Sequence, residues 1–531
     1  MSEFENSSVE PAAGGASRWL FGLPAAVLWL TLLGAAERFT GIGHQGLWYD
    51  ESVTSLLVSR SPGVMLGLIP HTESTPPLYY CAEWVWTHVF GHSPAGLRSM
   101  SALAGTLLIP VAYFAAAKLV SQRVGVITAA LTACNPFLIW YSQEARAYES
   151  LALLAGLSLL AFAYAIDDPR PRWWIAWAIA SALAILTHYY GIIVVIPEAV
   201  LLWRRYGRRR ELVLACAGIG IVALALVPLI LAQSGTGHDG WIANSPLGIR
   251  LGQIIPQFLI GTDMPLRKPF KWVAFVLAIT GLVMAWRWLR GRERDGTKLA
   301  LLVTLGGFGL SLLFILGHDD TLITRNIIDL WLPAAIVVAA GLGAAWEHIG
   351  RLAAHGVARR AALTATIGLC AIGVYATAGI AKDYYYERPN WVPLARLLGP
   401  PPAPGTTRVI LIQHYAYRLP LGLYMPNLTY LRGDDVTSGT VEIDVIRFSA
   451  PGQPLCWWGA ACNLVPSTMQ AHYAIGAFQP VSKQTVEQFT VLKLRSRSRS
   501  GESVTSAEIA AALTTTTLKH DVILIQRPAT S

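Results

Sequence analysis

Five short stretches of this chain hold the residue types from which polar chemistry could be built. Asp50 and Glu51 stand side by side in Gly46-Leu47-Trp48-Tyr49-Asp50-Glu51. Next to an apolar aromatic run, desolvation and mutual repulsion act on both acids, which suits one of them to take a proton near neutral pH. At a helix start the same pair could instead face solvent, favoured by the helix dipole. His71 and Glu73, in His71-Thr72-Glu73-Ser74-Thr75-Pro76-Pro77, are either two ligands for a divalent metal or polar loop residues ahead of a helix. In Tyr141-Ser142-Gln143-Glu144-Ala145-Arg146-Ala147-Tyr148, Arg146 needs a counter-charge, which Glu144 or a phosphate can supply. His188-Tyr189-Tyr190 is the fourth stretch. The fifth is Leu322-Ile323-Thr324-Arg325-Asn326, where Asp319, Asp320 and Asp329 or a lipid phosphate could answer Arg325.

The elements that must position these residues are apolar. Of 531 residues, 53% are hydrophobic and 14% charged, against about 25% charged in ordinary soluble domains. That excludes a disordered chain and a soluble enzyme of this size. The net charge of +9 would fit nucleic acid, but the charges only punctuate apolar runs. Eleven candidate spans result: 20–36, 99–117, 124–140, 150–166, 173–187, 191–203, 212–231, 272–286, 299–316, 330–346 and 361–381. Most approach the roughly 17–25 residues that cross a bilayer; interfacial Trp, Tyr and His neighbours complete the short ones at 173–187, 191–203 and 272–286. The first could be a signal peptide, but Glu3, Glu5 and Glu10 against Arg18 make a poor leader. Glu198 is the one acid inside a span and reads as an interfacial group near Trp203–Arg205.

Alternate loops carry eighteen and nine Lys and Arg residues, which places the N-terminus in the cytoplasm. An odd number of spans then puts 382–531 outside, together with the long loop 37–98 and all five polar stretches. That loop is apolar enough to form helices lying on the membrane around 55–58 and 64–69, with another beginning at Pro76-Pro77. Residues 382–531 are polar and turn-rich, and Val409–Ile412 and Val522–Ile525 read as buried strands. The expected fold is a polytopic α-helical membrane protein of about eleven spans (1–381) with an extracytoplasmic α/β domain (382–531). Cys81, Cys134, Cys216 and Cys370 read as packing residues; Cys456 and Cys462, on the outer side, are predicted to be bonded.

As a set, Asp50-Glu51, Pro76-Pro77-Leu78-Tyr79-Tyr80, Tyr141–Arg146, Thr187-His188-Tyr189-Tyr190-Gly191, Thr324-Arg325-Asn326 and Arg388-Pro389-Asn390-Trp391 resemble the GT-C superfamily of membrane glycosyltransferases. Within it, the set resembles bacterial membrane glycosyltransferases akin to protein O-mannosyltransferases and the lipid A aminoarabinose transferase. The resemblance implies a polyprenyl-phosphate sugar donor in the bilayer, an acceptor glycan, lipid or protein, and an inverting reaction on the outer face of the cytoplasmic membrane, with no nucleic acid. It makes Asp50 the general base and Glu51 its support or a metal ligand. It gives the leaving phosphate to Arg325, with Arg146, His188, Tyr189 and Glu144 as further donor-binding candidates. A divalent cation at Glu73 and His71 is the open cofactor question. The rival is a non-enzymatic transporter or flippase of lipid-linked sugars, which would predict an internal repeat and ionisable groups deep in several spans.

Overall fold

A computed structural model describes residues 19–20, 23–238, 240–317, 320–345, 353–412, 417–431, 435–448, 475–513 and 522–528. A two-stranded ribbon, β1 (Trp19–Leu20) and β2 (Leu23–Pro24), precedes the helices. These begin with α1 (Ala25–Phe39), α2 (Tyr49–Val58), α3 (Pro62–Thr72), α4 (Leu78–Phe90), α5 (Pro94–Leu119), α6 (Gln122–Cys134), α7 (Pro136–Ser142), α8 (Tyr148–Ala165) and α9 (Pro171–Thr187). They continue with α10 (Ile192–Tyr206), α11 (Arg210–Ala225), α12 (Val227–Ser234), α13 (Gly240–Ala243), α14 (Leu247–Ile260), α15 (Arg267–Trp288), α16 (Gly291–Leu316), α17 (Trp331–Ala344) and α18 (Ala353–Lys382).

The eleven expected spans fall mainly on helix, the first only from Ala25 onward. Among the described residues, seven helices are long and apolar enough to cross a membrane, and the pair α6–α7, bent by 57°, makes an eighth if read as one span. The other three expected spans fall on α1, α9 and α10, helices of 15, 17 and 15 residues. The bend has a local cause. Pro136 has no N–H to continue the ladder, so carbonyls before it lose their partners. Asn135 caps α7 by accepting from the Leu138 N–H at 3.1 Å. From α1, the fully buried Arg38 donates to the Thr132 and Ala133 carbonyls, both at 3.0 Å, and to Ser142 Oγ at 3.1 Å. Arg38 is therefore a structural pin for the bend.

Glu198 also departs from expectation. It is fully buried inside the bundle, where its Oε2 accepts from Ser158 on α8 (2.6 Å) and from the Trp177 indole on α9 (2.8 Å). A helix interface supplies these donors, and no one-dimensional pattern reveals one.

The loop before α5 forms three helices. α2 is turned inward, with Asp50, Glu51, Ser52, Thr54, Ser55, Leu57 and Val58 buried; α4 starts after Pro77, as the Pro pair implied. Beyond α18 come α19 (Trp391–Leu398), α20 (Arg418–Tyr424), α21 (Ser506–Leu513) and a seven-stranded sheet. Its strands are β3 (Thr407–Ile412), β4 (Leu428–Leu431), β5 (Val436–Phe448), β6 (Phe478–Val486), β7 (Phe489–Ser496), β8 (Glu502–Thr505) and β9 (Val522–Gln526). Their order is β4-β9-β3-β5-β7-β6, with β8 also on β5. The two strands read from the sequence are antiparallel neighbours, with Val409 opposite Ile525 and Ile412 opposite Val522. They are continuously apolar because both faces are covered. Val409 and Leu411 join one apolar cluster, while Ile410 and Ile412 join another that includes Trp391, Leu394 and Leu398 of α19. Cys81, Cys134, Cys216 and Cys370 are free thiols. The expected Cys456–Cys462 bridge lies outside the described residues, as does Asp319.

Candidate active site

Asp50 occupies the first turn of α2, where acidic side chains suit the exposed N–H groups. Its Oδ2 meets Arg325 Nη1 at 3.1 Å across 275 residues of sequence. Arg325 sits in the 3-10 turn Thr324–Leu330 that runs into α17. Neither Asp320 nor Asp329 is its partner: Asp320 forms a two-pronged pair with Arg250, both bonds 2.7 Å, and Asp329 is buried with both carboxylate oxygens lacking a hydrogen-bond partner. The Arg325 guanidinium lies 5.3 Å from the Tyr148 ring centroid and 5.6 Å from that of Trp241. Its buried Nε makes no hydrogen bond.

Glu51 has a different setting from its neighbour. It is fully buried and takes both prongs of Arg98, at 2.6 Å each. It also accepts from the Ala145 N–H at 3.0 Å and the Trp48 N–H at 3.3 Å. Burial alone would raise its pKa, but the Arg98 pair outweighs burial and holds it below the usual carboxylate value. With its oxygens so occupied, Glu51 fits neither a base nor a metal ligand. It anchors α2 against the 143–147 turn.

Arg146 finds its counter-charge at Glu73 rather than Glu144, in a two-pronged pair of 3.1 and 2.9 Å. It also reaches Thr54 Oγ1 at 3.4 Å. Burial works against its charge, yet Glu73 more than compensates and keeps the guanidinium firmly protonated. Glu73 is thus taken up by an arginine while His71 is exposed. The two do not form a cation site, and no cluster of three or more metal-binding side chains occurs among the described residues. Glu144 pairs with Arg388 at 2.9 Å and leaves Oε1 unpartnered. Burial raises its pKa despite Arg388, and the charge of Asp50 adds to the rise.

His188 follows α9 directly and is buried. Its Nδ1 accepts from the Tyr190 N–H at 3.2 Å, which assigns the proton to Nε2. Desolvation first, then the charges of Arg146 and Arg325, push its pKa down to about 3. It is a neutral hydrogen-bond donor that adds no positive charge. Tyr189 turns away, donating to Gln233 Oε1 at 2.7 Å. The fold therefore gathers Asp50, Arg325, Arg146, Glu73, Glu144, His188 and Tyr148, and leaves Tyr189 and His71 outside. Two arginines in the surroundings carried no functional reading in the sequence. Arg98 was one more loop charge, and Arg388 belonged to a motif without a role. A guanidinium beside a membrane-proximal turn was the available signal, but its partner could not be read locally.

The site is thus a carboxylate–guanidinium pair set by short helices on a helical bundle with an appended sheet. The chain has the fold of the GT-C membrane glycosyltransferases, as its motifs indicated. Residues 74–231 match the model of the dolichyl-phosphate-mannose-protein mannosyltransferase family. Among solved structures, ArnT from Cupriavidus metallidurans in the apo state is similar, with 14% identity, 88% of this chain and 98% of that one covered, and a TM-score of 0.54. The same protein bound to undecaprenyl phosphate is similar at 14% identity, 88% and 97% coverage, and a TM-score of 0.50. No curated protein sequence matches the chain.

Proposed function

We propose that this protein is an inverting glycosyltransferase that moves a sugar from a polyprenyl-phosphate donor to an acceptor hydroxyl on the outer face of the cytoplasmic membrane. The observation that carries the reading is the pair of buried Asp50 and half-buried Arg325 within this fold. Asp50 takes the proton of the acceptor hydroxyl as its oxygen attacks the anomeric carbon. The bond from that carbon to the phosphate oxygen breaks, and the electron pair leaves with the polyprenyl phosphate. Arg325 exchanges Asp50 for the developing phosphate charge in a dry site where a preplaced cation is effective, and Arg146 supports it. His188 can donate through Nε2 without changing the charge count. Undecaprenyl phosphate bound to a similar fold in ArnT supports this donor class. The reading places the N-terminus in the cytoplasm and residues 382–531 outside. Purified wild type and Asp50→Asn, given a panel of undecaprenyl-phosphate sugars, test it. Transfer by the wild type and its loss in the variant are expected; undiminished transfer by Asp50→Asn would sink the base assignment.

One observation favours the transporter alternative. Glu198 and Asp329 are buried acids within the helices, the kind of group that transport pathways use. Movement of a lipid-linked sugar across proteoliposomes without transfer would establish that reading.

A further inference from the structure

We propose that Arg388 is a positioning residue for this reaction: it holds one wall of the Asp50 site, while its chain neighbours and Tyr424 tie the other wall to the sheet region; the inference rests on the roles given above to Asp50 and Arg146. One wall is the loop ahead of α2. Its carbonyls at Ile42, Gln45 and Gly46 accept from Arg98 at 2.9, 3.0 and 2.9 Å. Its N–H groups are satisfied from the far end of the chain: Gly46 donates to Asn390 Oδ1 (3.1 Å) and Leu47 to Tyr424 Oη (2.8 Å). The approach is close enough to require glycine at 46, because a Cβ there would stand 2.8 Å from Tyr424 Oη and 3.0 Å from Val392 Cγ2. Gln45 adds a hydrogen bond to Glu387.

The other wall is the C-terminal end of α7 and the turn that leads to Arg146. Carbonyls at a helix end need outside donors, and Arg388 supplies them. Nη2 donates to the Trp140 carbonyl and to Glu144 Oε2, both at 2.9 Å, and Nη1 to the Gln143 carbonyl at 3.3 Å. The guanidinium lies 3.9 Å from the centre of a Trp140 ring and is 5% exposed at the side chain. Arg388 is in turn held by the sheet. In the two-residue turn between β6 and β7, buried Gln488 donates to the Tyr384 carbonyl (2.6 Å) and the Arg388 carbonyl (3.2 Å). Only a planar fork can serve a carboxylate and two carbonyls at once. The segment 384–390 is thus a strut between the sheet and the two turns that present Asp50 and Arg146.

Hydrogen–deuterium exchange on the full-length protein tests the strut. Arg388→Gln is expected to speed exchange about tenfold or more in 140–147, with 78–90 unchanged, and to lower the midpoint of thermal unfolding. Arg388→Lys should fall between the two. Tyr424→Phe, a milder change, should act on 46–49 alone and keeps the test available if Arg388→Gln does not fold. Unaltered exchange at 140–147 in Arg388→Gln, or at 46–49 in Tyr424→Phe, overturns the proposal. Undecaprenyl phosphate is the functional probe. Its affinity should move less than about threefold in Arg388→Gln while transfer falls about 100-fold, as misplacement of reacting groups by an ångström does. A tenfold or greater loss of affinity would make Arg388 a phosphate contact and overturn the positioning role. A wild type that binds no undecaprenyl phosphate would reject the donor reading, and the exchange comparison would still decide on the strut.

Discussion

Asp50 and Glu51 are neighbours in sequence and opposites in circumstance. The Asp50 carboxylate meets one guanidinium and stays slightly exposed, whereas Glu51 is bound on both oxygens and sealed off. Asp50→Asn should lower transfer by about 10²–10⁴-fold, the usual worth of a positioned general base, with affinity for undecaprenyl phosphate retained; initial rates and a binding isotherm check it. Arg325→Lys keeps the charge but loses the planar fork and should lower the transfer rate by about 10²-fold. His188 gives a pH test. Its folded-state pKa of about 3 lies below the ordinary 6.5. As pH falls below about 6.5, the unfolded chain takes up a proton that the folded chain refuses, so stability declines on the acid side and is unaffected above it. Unfolding midpoints at pH 7.5 and 5.0 should fall further in wild type than in His188→Gln; equal falls would contradict a ring held neutral by burial.

At the scale of elements, the site depends on how α1, α5, α7 and α8 meet beneath it. Gly105 on α5 marks the closest approach: a Cβ there would fall on Ser142 Oγ, 2.7 Å from Glu149 Oε1 and 2.8 Å from Arg38 Nε. Gly105→Ala should therefore force apart the pin that holds the α6–α7 bend, and overpacking of this kind costs about 1–3 kcal/mol. A lower unfolding midpoint, accompanied by reduced transfer, is the expected result. Arg98 ties α5 to α2 in the same manner. Arg98→Met strands a buried carboxylate and should destabilise by about 3–5 kcal/mol, whereas replacing both partners at once by apolar residues should recover much of that loss. The two unfolding measurements together separate a pair needed for geometry from one needed for charge.

For the whole molecule, the basic excess on alternate loops and the sheet beyond α18 make one picture. Eighteen Lys and Arg residues in one set of segments, against nine in the alternate set, carry the proposed orientation, in which the opposite side receives the sheet and every charged pair of the site. Reporter fusions at 208 and 440 should therefore fall on opposite sides of the membrane. Ending the chain at 382 would remove Arg388, Asn390, Tyr424 and Gln488 together, so transfer should vanish even if the helical part still inserts. The sheet is then part of the site's construction.

The sequence by itself carried the apolar runs, the helical loop after α1, two of the central strands and the identity of the acids at the site. These are local properties: hydropathy, charge placement, proline and strand composition can be read in windows of about ten to twenty residues. Tertiary structure alone decided which charges face each other. Asp50 with Arg325, Glu51 with Arg98, Glu73 with Arg146 and Glu144 with Arg388 join residues 275, 47, 73 and 244 positions apart. A buried charge requires a partner but does not specify one; packing selects it, and that selection makes Asp50 available while its neighbour Glu51 is not.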